Sequence, residues 1–287
     1  MHHRSVCASL AVGIAATTAF LATLTGGCAK HHTGDDVLFG ATGALGDVFS
    51  GRTFAVDEPV ELRTRGPLAV DVESFAGDVV VRADRKVDRT TVEVRRVSMH
   101  GLGRLRESAD ELSEPNWTAT LRPRDGGGET LFIRATTPNP EPHFQRLEVT
   151  VYTPSLDSVR VRTTNGDVTI IENQGPVDVE TTRGDVRMMT PWPMTQPMTI
   201  VTSEGSIDYR VRGESKGTFD CESHGGQVRQ RAEYGSWVAL DPSNDHDRFL
   251  AVLNGGRNPV VLRTSDEDIR VSIVPDPTAV GMRIFDP

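Results

Sequence analysis

Two aspartates offer the first opening for chemistry. Asp167 and Asp185 each follow a glycine, in Thr163-Thr164-Asn165-Gly166-Asp167-Val168 and Thr181-Thr182-Arg183-Gly184-Asp185-Val186. Stacked one above the other, paired carboxylates can perform acid–base catalysis or hold calcium. An aspartate beside a turn glycine also caps its own backbone. The same column continues with Ser206 and Gln227, so the repeated phrase does not require the acid, and both aspartates read as corner residues. His31-His32 with Asp35-Asp36 has the residue types of a metal site but reads as a solvated tether. His224 stands beside two glycines and reads as an exposed turn residue. Of the three cysteines, Cys221 falls in a column otherwise filled by Val, Ile and Leu, where a thiol behaves as a small hydrophobe. No nucleophile elbow, phosphate loop, dinucleotide or zinc pattern appears. No catalytic, cofactor or metal residue is assigned, no cofactor is expected, and the chain reads as a non-enzyme.

The elements that carry these residues repeat. The phrase occurs around Gly77, Gly166, Gly184, Gly205 and Gly226, and once more with Glu267 at the glycine place. Seven residues before it stand Val70, Val159, Val177, Met198, Phe219 and Val260; five before it, Val72, Val161, Val179, Ile200, Cys221 and Leu262. Three before it the column is all hydroxyl: Ser74, Thr163, Thr181, Thr202, Ser223 and Thr264. Alternating apolar and polar positions make one buried and one wet face. A period of roughly 20 residues marks stacked coils that bury their apolar faces only against each other. The fold class is therefore all-β, a β-solenoid resembling a parallel β-helix. The glycine serves φ > 0 at the corner. Gly226 to Glu267 spans 41 residues, which predicts one degenerate coil between them, with Asp241 to Asp247 looped out.

Several charged residues read as paired across neighbouring coils: Arg160 with Asp178, Arg162 with Glu180, Arg187 with Asp208, and Asp208 with Arg229. Such pairs set register between coils. Outward aromatics are few, with Tyr209 on the repeats and Trp192 and Trp237 on connecting segments. Gly77 to Gly166 spans 89 residues, too long for one coil. It holds strand patterns at Val92–Val97, Trp117–Leu121, Leu131–Ala135 and Leu147–Tyr152, and a hairpin turn at Asp125-Gly126-Gly127-Gly128. Leu102, Leu105, Ala109 and Leu112 fall at helical spacing and predict one short helix, stopped by Pro115.

The chain of 287 residues is 37% hydrophobic with a formal net charge of −9. An acidic balance argues against a nucleic-acid partner. At the start, His2, His3 and Arg4 precede an apolar, Ala-rich stretch, Val6 to Leu24, and then Thr25-Gly26-Gly27-Cys28. This is the layout of a signal peptide. It resembles the bacterial lipoprotein signal, which implies cleavage before Cys28, lipidation of that cysteine and anchoring to the membrane. It departs from that pattern in placing Thr25 where a leucine is expected. An uncleaved anchor helix or an ordinary secreted chain are the alternatives. The expected organisation is 1–27 signal peptide, 28–52 anchor and Gly-rich tether, and 53–287 a single domain, divided into an elaborated part 53–155 and repeat coils 156–287.

A wider likeness rests on Val149-Thr150-Val151-Tyr152-Thr153-Pro154, the following Thr/Ser-x-x-Gly-Asp-Val repeats, and Asn254-Gly255-Gly256 before the last strand. Over about residues 68 to 273 the chain resembles the bacterial putative adhesin domain family. The resemblance implies a β-solenoid, often on envelope proteins, without catalytic activity. Two function classes follow. One is a lipid-anchored protein of the bacterial cell envelope with a structural or adhesive role, partnered by an envelope protein or a polysaccharide. The other is a polysaccharide-active enzyme on a β-helix scaffold.

Overall fold

The computed structural model describes residues 53–279 except 101–106, 108–109, 140–143 and 242–244. The signal-peptide, Cys28 and tether readings lie outside the described residues, as does most of the expected helix.

Strands begin with Thr53–Val56 (β1), Val60–Leu62 (β2), Leu68–Ser74 (β3) and Val79–Ala83 (β4). Thr90–Ser98 (β5), Asn116–Pro123 (β6), Glu129–Thr136 (β7) and Gln145–Thr153 (β8) follow. Three coils come next: Leu156–Asn165 and Val168–Ile171 (β9, β10), Val177–Arg183 and Val186–Met189 (β11, β12), Met198–Glu204 and Ile207–Val211 (β13, β14). Gly217–Ser223 (β15) and Val228–Ala232 (β16) form another coil, followed by Trp237–Ala239 (β17) and Arg248–Leu253 (β18). Pro259–Thr264 (β19) and Ile269–Ile273 (β20) complete the fold.

Each coil gives one strand to each of two mostly parallel sheets. One sheet runs β1-β5-β8-β4-β10-β12-β14-β20-β16, with β2 also on β5; the other runs β17-β18-β15-β19-β13-β11-β9-β3-β7-β6. The aligned columns meet in register. Val70 lies opposite Val159, Val159 opposite Val177, Val177 opposite Met198, Met198 opposite Val260, and Val260 opposite Phe219. The apolar columns fill one core between the sheets; Val72, Val161, Val179, Ile200, Leu262 and Cys221 are fully buried.

The coils do not stack in chain order. The last coil, β19–β20, lies between β13–β14 and β15–β16. Among the described residues the degenerate coil expected before it is absent: Trp237–Ala239 and Arg248–Leu253 instead form an antiparallel β17–β18 ribbon on β15. At the other end β7–β8 is a further coil outside β3–β4, and β5 and β6 cap it antiparallel. Its corner lacks the glycine phrase, so the repeat did not reveal it. The turn at Asp125–Gly128 does join antiparallel β6 and β7, with Gly126, Gly127 and Gly128 all left-handed.

The corner explains the phrase. Gly184 has φ 141°, but the stricter constraint is space. A Cβ on Gly184 would sit 2.2 Å from the Gly166 carbonyl oxygen, and one on Gly205 would sit 2.0 Å from that of Gly184. The buried hydroxyls bond at the same place. Thr202 donates to Gly184 O at 3.1 Å, Thr264 to Gly205 O at 2.7 Å and Ser223 to Glu267 O at 2.7 Å. Thr163 has no such acceptor. At the Glu267 corner residues 265–267 bend as residues 75–77 and 224–226 do at the Gly77 and Gly226 corners, and Ser265 N bonds Ser203 O.

Candidate functional site

The two aspartates proposed for chemistry are held structurally, though not by capping their own backbone. Asp78 accepts from the Asp167 N–H at 3.0 Å, Asp167 from the Asp185 N–H at 2.9 Å, and Asp185 from the Ser206 N–H at 2.8 Å. Asp268 does the same for Gln227 at 2.8 Å. Each carboxylate thus ties its corner to the next coil. Burial raises the Asp167 pKa; its bond from Asp185 N–H opposes this, and the charges of Asp78 and Asp185 add to it.

The folded state therefore holds this proton more tightly than the unfolded chain, so this group lowers stability as pH rises through its folded-state pKa. An asparagine keeps the acceptor and removes the charge. Asp167→Asn is expected to be more stable than wild type at pH 7, and to lose that advantage below the ordinary value of 3.8. Urea midpoints at the two pH values check this.

The other sequence candidates do not converge. Cys221 is fully buried, and burial pushes its thiol pKa far up. His224 is exposed and lies 3.7 Å from Glu222. His31, His32, Asp35 and Asp36 lie outside the described residues. Tyr209 is not outward: it packs between Met188 and Val271, 1% exposed, with its ring 6.0 Å from Phe219. The corner resets the alternation, so the second and fourth residues after the glycine face inward. Asp245, His246 and Asp247 bring ligand atoms together on an exposed loop, and sequence spacing did not single them out.

The two outward faces differ. On the β3–β9–β11 face, charge alternates strand by strand. Arg134 reaches Asp71 at 3.1 Å, Arg162 reaches Asp178 at 2.6 Å and Glu180 at 3.1 Å, and Arg263 reaches Asp220 at 2.6 Å. The expected contacts of Arg160 with Asp178, Arg162 with Glu180 and Arg187 with Asp208 occur. Asp208 does not meet Arg229, because β20 separates their strands and places Arg270 between them.

The other sheet carries an arginine-rich quarter on β12, β14, β20 and β16. Asp208 serves Arg210 at 2.7 Å and Arg187 at 3.5 Å. Arg212 pairs with Glu214 and Arg231 with Glu233, each at 2.7 Å. Arg229 stands directly opposite Arg270 and reaches Asp268 at 3.7 Å. Among the described residues no carboxylate forms an ion pair with exposed Arg270.

These strands end along one rim, where backbone bonds run from coil to coil. Glu172 N bonds Met189 O, Thr190 N bonds Arg210 O, Val274 N bonds Val211 O, and Glu233 N bonds Ile273 O. The rim bears Arg85, whose guanidinium lies 4.4 Å from the Trp192 ring centre. Beyond it come Arg212, Glu214, Pro275 and the exposed Tyr234. These last four, with Gly213, line a cavity of about 370 Å³. Its wall is fixed from behind. Asn254 donates to Gly213 O and Ser215 O, both at 2.8 Å, and accepts from Ser236 N. A Cβ on Gly213 would lie 2.6 Å from that of Tyr234. Glu214 is held ionised below the usual range, by its own backbone N–H and then by Arg212. Glu172 shifts the other way: burial raises it against Arg82, and its φ of 63° is left-handed.

Residues 132–272 match the family model described as Toastrack DUF4097. The match opens within β7 and so leaves out β3–β4, although that coil carries the same phrase. A putative cell adhesion protein from Clostridium sporogenes has a similar structure, with a TM-score of 0.50 at 10% identity, covering 78% of this chain and 100% of that one. A putative adhesin from Bacteroides fragilis aligns at 10% identity over 77% of this chain and 97% of its own, with a TM-score of 0.30. A putative lipid binding protein from Parabacteroides distasonis aligns at 8% identity over 78% and 97%, with a TM-score of 0.24. At such identities the likeness concerns the fold. No curated protein matches the chain.

Proposed function

We propose that this chain is a lipid-anchored protein of the bacterial cell envelope with a non-catalytic, adhesive binding role. The observation that carries the binding role is a contrast between the two sets of polar groups. The corner carboxylates are consumed in holding coil to coil, whereas the rim leaves arginines and Tyr234 exposed on a rigid backbone. The neighbours named as adhesins agree with such a role. The anchor rests on Leu24-Thr25-Gly26-Gly27-Cys28; a diacylated cysteine holds a protein on a membrane at about 0.8 kcal/mol per buried CH₂.

Cys28→Ser is expected to abolish lipid labelling and to release the protein from membrane fractions. Unchanged attachment, with an N-terminus other than Cys28, would rule the anchor out. The alternative, a polysaccharide-active enzyme, draws on Glu172, whose raised pKa and left-handed backbone lie on the same rim beside Arg82 and Arg85. It requires release of new sugar ends from a polysaccharide, lost in Glu172→Gln; the binding reading expects retention of intact polymer on the protein and no new ends.

A further inference from the structure

We propose that the outward face of β14, β20 and β16 and the adjoining rim bind an acidic polysaccharide, its carboxylates or sulfates against the Arg229–Arg270 pair on the face and a sugar ring against Tyr234 on the rim. This rests on the adhesive reading and names its ligand class. Three observations meet here. First, like charges directly opposite across strands destabilise a sheet, and Arg229 and Arg270 stand so. The other neighbour of Arg270, Asp208, is engaged by Arg187 and Arg210. A bound anion would relieve that repulsion, and a guanidinium fork suits a carboxylate or sulfate. The opposite face shows the contrast, since its arginines face acids.

Second, an aromatic ring and hydrogen-bonding groups converge in one rigid cavity. Tyr234 offers an exposed ring, while Arg212 and Glu214 offer donors and acceptors, which is the mixture a sugar needs. Arg229 and Arg231 lead to it along β16, and Arg229 lies five residues before Tyr234, roughly 16 Å at strand rise. A ligand that spans both is extended and carries repeated charge.

Third, Trp192 stands on the same rim. Its coil is three strand positions from that of Tyr234, roughly 14 Å at the usual strand spacing. The favoured path of a chain molecule therefore follows β16 from the Arg229–Arg270 pair to Tyr234 and then turns along the rim toward Trp192. A membrane surface fits less well, because among the described residues β12, β14, β20 and β16 show no exposed apolar stripe to insert. Nucleic acid fits less well too, since single strands are held by successive stacked bases on aromatics, and Tyr234 and Trp192 are too far apart for neighbouring bases.

The test uses the full-length protein with its anchor seated in phosphatidylcholine nanodiscs, so that the lipid itself contributes nothing to the comparison. Its binding to polygalacturonate is compared with binding to a neutral β-glucan, phosphatidylglycerol vesicles and single-stranded DNA. Arg229→Gln/Arg270→Gln and Tyr234→Ala are measured alongside, each checked for an unchanged melting transition. The expected result is preferential binding to polygalacturonate, weakened at least about tenfold by each variant and by raised salt. Undiminished binding in the variants, or tighter binding to vesicles, DNA or neutral glucan, would overturn it. Capture of neutral glucan or of an envelope protein, without polygalacturonate, would remove this ligand class and leave the adhesive reading standing.

Discussion

Ile200→Asp is expected to lower stability by about 3–5 kcal/mol, because it places an unpaired carboxylate in the core. Ile200 is fully buried and lies between Val179 and Leu262 on the neighbouring strands. Neither offers a charge or a donor, so the group must either remain ionised at high cost or take up a proton. The next residue gives the control. Thr199 points outward and stands opposite Asp178, so Thr199→Asp adds only a solvated like-charge contact, on the order of 0.2–1 kcal/mol. The two melting temperatures should differ on the order of 10 °C. Equal losses would mean that the inward column has been misassigned.

The columns behind that expectation were legible because they depend on local rules. Strand alternation gives the apolar columns. A carbonyl 2.0–2.2 Å from any Cβ enforces glycine at Gly166, Gly184 and Gly205. Hydroxyls at the corner meet the carbonyls that the corner exposes.

What was not legible depends on which edges meet. A spacing of 41 residues admits two coil lengths but does not say that the chain passes over a vacant position and returns to fill it. The pairing of Asp208 with Arg229 failed for that reason alone. The β7–β8 coil escaped notice because the sequence between its two strands carries no Thr/Ser-x-x-Gly phrase. Tyr209 reads as outward from its polar hydroxyl, yet it lies two residues after buried Ile207 and so shares the inward face. The rim was missed because its residues come from the ends of separate strands. Only Trp192 on its connecting segment and the arginine excess hinted at it, and the sequence alone does not say that Tyr234 and Pro275 lie together.

The rim exists only if β20 lies between β14 and β16, and therefore only if the last coil is inserted out of chain order. Register places Thr199 beside Val261, and Val261 beside Asp220. Thr199 and Asp220 are thus two strand spacings apart, roughly 9.6 Å. A disulfide needs Cα atoms within about 7 Å, so the effect should be nearly all-or-none. Stacking in chain order would instead put Thr199 beside Asp220 and send Val261 away from it. All three positions lie on one outward face, whereas the neighbouring Cys221 points into the core and is fully buried. The decisive measurement is the yield of intramolecular disulfide after mild oxidation of two folded variants, read by non-reducing mass mapping. Thr199→Cys/Val261→Cys is predicted to close nearly completely and Thr199→Cys/Asp220→Cys to stay reduced. Closure of the second pair with the first left open would contradict the inserted coil and the rim built on it.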